Sequence, residues 1–184
     1  MSGHRERGGA VSRLTPRRVV TEAELQTWQH RRATSSARAS ELVEAGQCYQ
    51  CVDQAIGGSV LGEQDVIVET DHAKAVLALD PRAPGHTIVV WKPHRHDFTE
   101  LDDDETAELF TLAKDVARAI ESGLAGVERV YLVTMCDGAV NHLHLQLIPR
   151  YAGSPIGSGR LVDERMPLLD GTAIAAAIAD ALTP

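Results

Sequence analysis

Two groups of residues in this chain have types and spacings suited to chemistry: His142-Leu143-His144-Leu145-Gln146, and far upstream Cys48-Tyr49-Gln50-Cys51. Side chains alternate along a strand, so His142, His144 and Gln146 share one face while Leu143, Leu145 and Leu147 share the other. Residues two apart on a strand lie about 6.6 Å apart, close enough for three polar groups to surround one phosphate or one metal ion. A merely solvated face would favour Thr, Lys and Glu over two His and a Gln. A neutral imidazole is a good nucleophile near pH 7, and a covalent intermediate divides one difficult displacement into two easier ones. His-x-His on a strand is also a metal-ligand pattern, so a catalytic metal on His142 and His144 is the alternative to a histidine nucleophile. The Cys-x-x-Cys spacing points to a tetrahedral zinc site, which two thiolates and two imidazoles would complete.

These groups need a scaffold, and the chain supplies one by its periodicity. Thr21, followed by Glu22 and Glu24, reads as the N-cap of a helix running to about Glu44, with Gly46 ending it and the Cys pair directly after. Asp65 to Glu69 and Lys74 to Leu79 read as short strands around a turn at Thr70-Asp71-His72, and Thr87 to Trp91 as the clearest strand. Asp102 is an N-cap with Glu105 at the capping-box position; Leu109, Ala113, Val116, Ala117, Ile120 and Leu124 then recur at helical spacing. The run Asp102-Asp103-Asp104-Glu105 is therefore a helix start, not a carboxylate metal cluster. Arg129 to Met135 and His142 to Pro149 are strands around a turn at Asp137-Gly138, with Cys136 expected as a buried strand residue. A flexible loop at Gly153 to Gly159 precedes an Ala-rich helix at Thr172 to Leu182. The order implies an α+β fold: an antiparallel sheet of about five strands with a long helix on one face.

At 184 residues the chain has room for one well-buried core and not for two ordinary domains. Its net charge of -8 argues against binding a nucleic-acid backbone, which needs a basic surface, and leaves room for a small phosphate ligand. No apolar stretch approaches the ~20 residues that span a bilayer, so no membrane partner is expected. Residues Met1 to about Val20 are basic without an apolar segment, which reads as a mobile or docking arm and not as a secretory signal. Three cysteines suit a reducing compartment, so the expected location is the cytoplasm.

Asn141-His142-Leu143-His144-Leu145-Gln146-Leu147-Ile148-Pro149-Arg150 resembles the signature strand of the histidine-triad superfamily. Gly85 to His94 is similar to the family's earlier strand and Lys-Pro-His loop, and the intervening helix has the matching length and place. The resemblance covers roughly 47–151, giving an N-terminal arm and helix (1–46), a catalytic domain (47–151) and a C-terminal loop and helix (152–184). It implies that His144 takes the nucleotidyl group as a phosphoramidate, its other ring nitrogen held by a main-chain carbonyl on the same strand. His142 and Gln146 complete the catalytic set, while His86 and Asn141 join Gln146 in binding substrate. The family's hydrolases carry His where Gln146 stands. An amide orients phosphate oxygens without acting as acid or base, as in the galactose-1-phosphate uridylyltransferase and dinucleoside tetraphosphate phosphorylase branch. That implies nucleotidyl transfer or phosphorolysis alongside hydrolysis, on a nucleotide or nucleotide-conjugate small molecule.

In zinc-containing relatives the upstream Cys pair joins two histidines, which maps one structural zinc per chain onto Cys48, Cys51, His94 and His142, with His96 as the competitor of His94. A homodimer is implied by the same resemblance. Two departures stand out: the position of the family's ribose-binding Asp is Ala78, with Asp80 two residues out of register, and Cys136 replaces an Asn. A non-catalytic nucleotide-binding protein is the remaining alternative.

Overall fold

The computed structural model describes residues 13–136, 138–154, 156–157 and 164–182. Most of the basic arm, Asp137 of the expected turn and part of the Gly153 to Gly159 loop lie outside the described residues. Along the chain run α1 (Glu22–Glu44), α2 (Tyr49–Ile56), β1 (Val66–Glu69), β2 (Ala73–Leu77), β3 (Thr87–Trp91), α3 (Asp103–Gly123), β4 (Val127–Val133), β5 (His144–Tyr151) and α4 (Gly171–Leu182). The strands form one five-stranded antiparallel sheet in the order β1-β2-β3-β5-β4. This is the expected α+β architecture.

Local chemistry starts the two long helices. Thr21 caps α1 and Asp102 caps α3, each with a reciprocal capping box closed by Glu24 or Glu105. Alternation then sorts the sheet. Ala73, Ala75, Leu77, Val89, Trp91, Leu145 and Leu147 face α3 and α4 in the core, together with Leu143 just ahead of β5. Buried Ile174 and Ile178 put α4 in the same core as the sheet. Lys74, Val76, Ile88, Val90, His144 and Gln146 occupy the opposite face by the same alternation. Gly85, at φ 80, lets the chain enter β3 against α3: a Cβ there would stand 2.4 Å from Leu124 Cδ1.

Three expectations need correction. Between Gly46 and Asp65 the sequence reading has no element, yet α2 stands there with Cys48 as its N-cap residue and Cys51 in its first turn. At eight residues it spans barely two turns, too short for periodicity to stand out, and its buried side chains are the polar Gln50 and Asp53 while Ile56 is exposed. β5 begins at His144 and not at His142, because Leu143 N–H donates to Arg95 O while its carbonyl accepts from Trp91 N. Cys136 lies past the end of β4, half-buried, and is not a strand core residue.

α1 has no buried residue, and polar anchors hold it. Trp28 Nε1 donates to Asp80 Oδ1 at 2.7 Å, Arg31 donates to the same oxygen at 3.0 Å and to Leu79 O at 2.8 Å, and Ser35 Oγ donates to Leu61 O at 2.8 Å. Asp80, the near-match to a ribose-binding Asp, is thus engaged in seating a helix.

Candidate active site and metal centre

β5 presents His144 and Gln146 on the sheet face away from the core. His144 Nδ1 lies 2.9 Å from the carbonyl of His142. A carbonyl only accepts, so Nδ1 carries the proton and Nε2 is the basic nitrogen. This ring lines a cavity of about 200 Å³ with Gln146, Tyr49, Gln50, Val76, Ile88 and Arg165.

His142 is oriented by a different carbonyl. Its Nε2–H donates to Trp91 O at 2.7 Å, which turns the Nδ1 lone pair toward Cys48 Sγ at 3.3 Å and Cys51 Sγ at 3.6 Å. His94 Nδ1 lies 3.3 Å from Cys51 Sγ. The four ligand atoms all lie within 4.8 Å of one another. Zinc bonds of ~2.3 Å to sulfur and ~2.05 Å to nitrogen at a tetrahedral angle put S and N about 3.6 Å apart. The donor set and its spacing therefore fit a tetrahedral metal ion, with the Trp91 carbonyl as the outer partner that fixes one imidazole. Burial and the neighbouring Cys48 sulfur push the Cys51 thiol up to about 11, a penalty on the thiolate that a bound dication would reverse. His96 is outside this cluster and packs edge-on against His94, ring centroids 4.9 Å apart. His144 is outside it as well, with Nδ1 already committed to the His142 carbonyl.

His86 is 1% exposed, and its Nδ1 accepts from Arg82 N at 3.2 Å, so the proton sits on Nε2. Burial first, then the charges of Arg165 and Arg82, lower its pKa to about 3, opposed by the amide of Gln146. Among the described residues no hydrogen bond of good geometry reaches Nε2, so this N–H is a buried donor beside Gln146. Burial likewise lowers His142, against the raising effect of its bond to Trp91. Asn141 spends its amide on the loop, accepting from Gly138 N at 2.7 Å and donating to Cys136 O at 3.1 Å. It still lines, with Cys48, Tyr49, His142 and His144, a second cavity of about 260 Å³.

Sequence reasoning missed Tyr49, Gln50 and Arg165. The first two were legible in principle as the residues between the cysteines of a capped turn. Burial raises the Tyr49 hydroxyl above its ordinary range, and Gln50 is buried at the cavity wall. Arg165 carries no local signal, because it reaches the site from a segment beyond β5.

The family model for the HIT domain matches residues 62–153. An uncharacterised HIT-like protein of Methanocaldococcus jannaschii is 37% identical over 90 residues, which span 48% of this chain and 70% of that protein. Adenosine 5'-monophosphoramidase of Schizosaccharomyces pombe is 33% identical over 89 residues, spanning 46% of this chain and 62% of the yeast protein. Among solved structures, a Zn-bound histidine triad family protein from Mycobacterium smegmatis superposes with a TM-score of 0.58 at 24% identity, over 73% of this chain and 92% of that one. This last likeness concerns the fold. Together with the strand order and the His-x-His-x-Gln strand, the match over residues 62–153 makes the chain a member of the HIT domain family.

Proposed function

We propose that the chain is a nucleotide-processing enzyme that acts at the α-phosphate through a covalent nucleotidyl-His144 intermediate. The observation that carries this reading is the hydrogen bond from His144 Nδ1 to the His142 carbonyl, which leaves Nε2 basic at a cavity shared with Gln146. In the first step Nε2 attacks phosphorus, a P–N bond forms, and the leaving group departs with the electron pair of its bond to phosphorus. In the second, water, inorganic phosphate or another phosphate ester attacks the same phosphorus and the imidazole leaves with its electron pair restored.

Gln146 orients the phosphate oxygens, with the N–H of His86 behind it. Neutral side chains dominate this part of the cleft, so Arg165 is the cation that offsets the charge gathering on the phosphate oxygens. Asn141 shapes the loop over the site and is assigned a lesser part in binding. An amide at 146 cannot activate water, which favours transfer or phosphorolysis, as in the uridylyltransferase and phosphorylase branch. The phosphoramidase relative favours hydrolysis of a nucleoside phosphoramidate as the second reading.

One structural zinc per chain is assigned to Cys48, Cys51, His94 and His142. Four protein ligands leave no open position, so its contribution is to fasten α2 to the start of β5 and thereby to hold the His142 carbonyl against His144. A homodimer is proposed on the family resemblance, with β4 as an edge strand paired to β5 on one side.

The test is to incubate native protein and His144→Ala with nucleotide conjugates labelled at the α-phosphate, quench in denaturant, and recover the protein. Acid-labile label on the native chain and none on the variant is expected, with one zinc retained by both. Turnover by native protein with no label at any time, or equal label on His144→Ala, refutes the covalent step.

A further inference from the structure

α1 is a 23-residue helix with no buried residue, so apolar burial does little to hold it to the body of the molecule. What it grips instead is the wall of the His144 cleft. Ser35 Oγ donates to the carbonyl of Leu61, Arg31 to the carbonyl of Leu79, and Trp28 Nε1 and Arg31 both to Asp80 Oδ1. Leu61, Leu79 and Asp80 all line the cavity that holds His144 and Gln146, and they stand on two separate segments, one after α2 and the other after β2.

The electrostatics of that cavity turn on two of its lining residues. Among the described residues Asp80 is its one carboxylate and Arg165 its one guanidinium. They meet through the backbone. Arg165 Nη1 donates to the Asp80 carbonyl at 3.5 Å and Met166 N to the Pro81 carbonyl at 2.9 Å, which seats the Arg165 segment on the loop between β2 and β3. After burial itself, the charge of Arg165 does most to keep His86 neutral, so that charge acts inside the cleft.

An aspartate carboxylate hangs one methylene from its backbone, so rotation about χ1 is enough to carry it toward a guanidinium bound at the same residue's carbonyl. Arginine and carboxylate pair strongly, often by two parallel hydrogen bonds, and a guanidinium so paired is lost to phosphate. Here that pairing is pre-empted. Asp80 Oδ1 accepts from Trp28 at 2.7 Å and from Arg31 at 3.0 Å, and Oδ2 faces Arg32 at 3.6 Å. Among the described residues Arg165 has no carboxylate partner, and its fork is left to the cleft.

We propose that α1 keeps Arg165 available to a substrate phosphate by holding the Asp80 carboxylate away from it, which makes Trp28 and Arg31 positioning residues of the His144 cleft. The proposal rests on the reading that a nucleotide phosphate lies at His144 and adds how its charge is met; it needs no covalent step. The test is equilibrium binding of AMP, GMP, UMP and CMP, each against its own nucleoside, to the full zinc-loaded chain by calorimetry at low salt. The ratio of the two dissociation constants is the phosphate margin.

Native protein is expected to show a margin of about tenfold or more for at least one pair. Trp28→Phe combined with Arg31→Gln frees the carboxylate and cuts that margin below about threefold. Adding Asp80→Asn to the same variant removes the competing charge and restores the native margin. A wall that had merely loosened would weaken nucleoside and nucleotide alike, and Asp80→Asn would not repair it. Arg165→Ala abolishes the margin, and the α1 substitutions then change it no further. Should the double variant fail to fold, Trp28→Phe alone, which keeps an aromatic ring and drops the N–H, is read with and without Asp80→Asn. A margin indifferent to the α1 substitutions, or one that falls and is not restored by Asp80→Asn, overturns the proposal, as does the lack of any margin in the native protein. The enzymatic reading is judged apart, by the label on His144. Label with a margin indifferent to α1 removes the inference alone, and the expected margins without label remove the covalent reading alone.

Discussion

Lowering the pH should destabilise this protein through His86, and the size of the effect follows from its burial. In the unfolded chain an imidazole takes a proton near pH 6.5, whereas His86 in the fold resists protonation down to about 3. Below pH 6.5 the unfolded state therefore binds a proton that the native state refuses, and unfolding free energy falls as pH falls. The stabilisation is complete above 6.5, declines through the window between 6.5 and about 3, and changes no further below it. Each pH unit is worth about 1.4 kcal/mol, so two units remove about 3 kcal/mol and the whole window about 5 kcal/mol. That is comparable with the net stability of an ordinary domain. The perturbation is His86→Gln, which keeps an acceptor for Arg82 N and does not titrate. Urea unfolding of native and variant protein from pH 7.5 to 4.5 gives two stability curves, and subtracting them cancels the groups both share. The native curve should fall more steeply by about 1.4 kcal/mol per unit below pH 6.5. Parallel curves would mean that the ring is not buried neutral, and the account of Gln146 flanked by a neutral donor would go with it.

Chelation of the metal, or Cys51→Ser, should loosen α2 from β5; a loss of about 3 kcal/mol lowers the melting temperature by roughly 10 °C, measured by calorimetry, and an unchanged melting curve would contradict a structural zinc. Gln146→His restores a group able to move protons and is expected to raise the hydrolysis-to-phosphorolysis product ratio at least about tenfold, read by chromatography with inorganic phosphate present. Gly123→Ala would set a Cβ 2.6 Å from the main-chain oxygen of Ala177, forcing α3 and α4 apart. The net destabilisation should be about 1–2 kcal/mol in urea unfolding despite the better helix former, and a neutral result would show that the two helices yield easily.

The parts of this protein that were legible in its sequence are those decided by residues a few positions apart. The capping boxes at Thr21 and Asp102, the apolar repeat of α3 and the alternation of Leu145 and Leu147 with His144 and Gln146 each depend on a single element's own geometry. So does the inventory of reacting groups on β5. A short helix with a polar buried side, α2, escaped because eight residues give barely two turns in which a period can repeat. The tertiary structure decided everything that required distant residues to meet. Cys48 and His142 are 94 positions apart, and Cys51 and His94 are 43 apart. Only the pairing of β3 with β5 and the seating of α2 beside them choose His94 over His96. The same pairing turns His142 Nε2 to the Trp91 carbonyl and so frees its other nitrogen for the thiols. Asp80 binds α1, and Arg165 reaches the cleft from beyond β5, for reasons no local pattern contains. Residue type sets what a side chain can donate, accept or attack, and packing sets which of those capacities is left unspent.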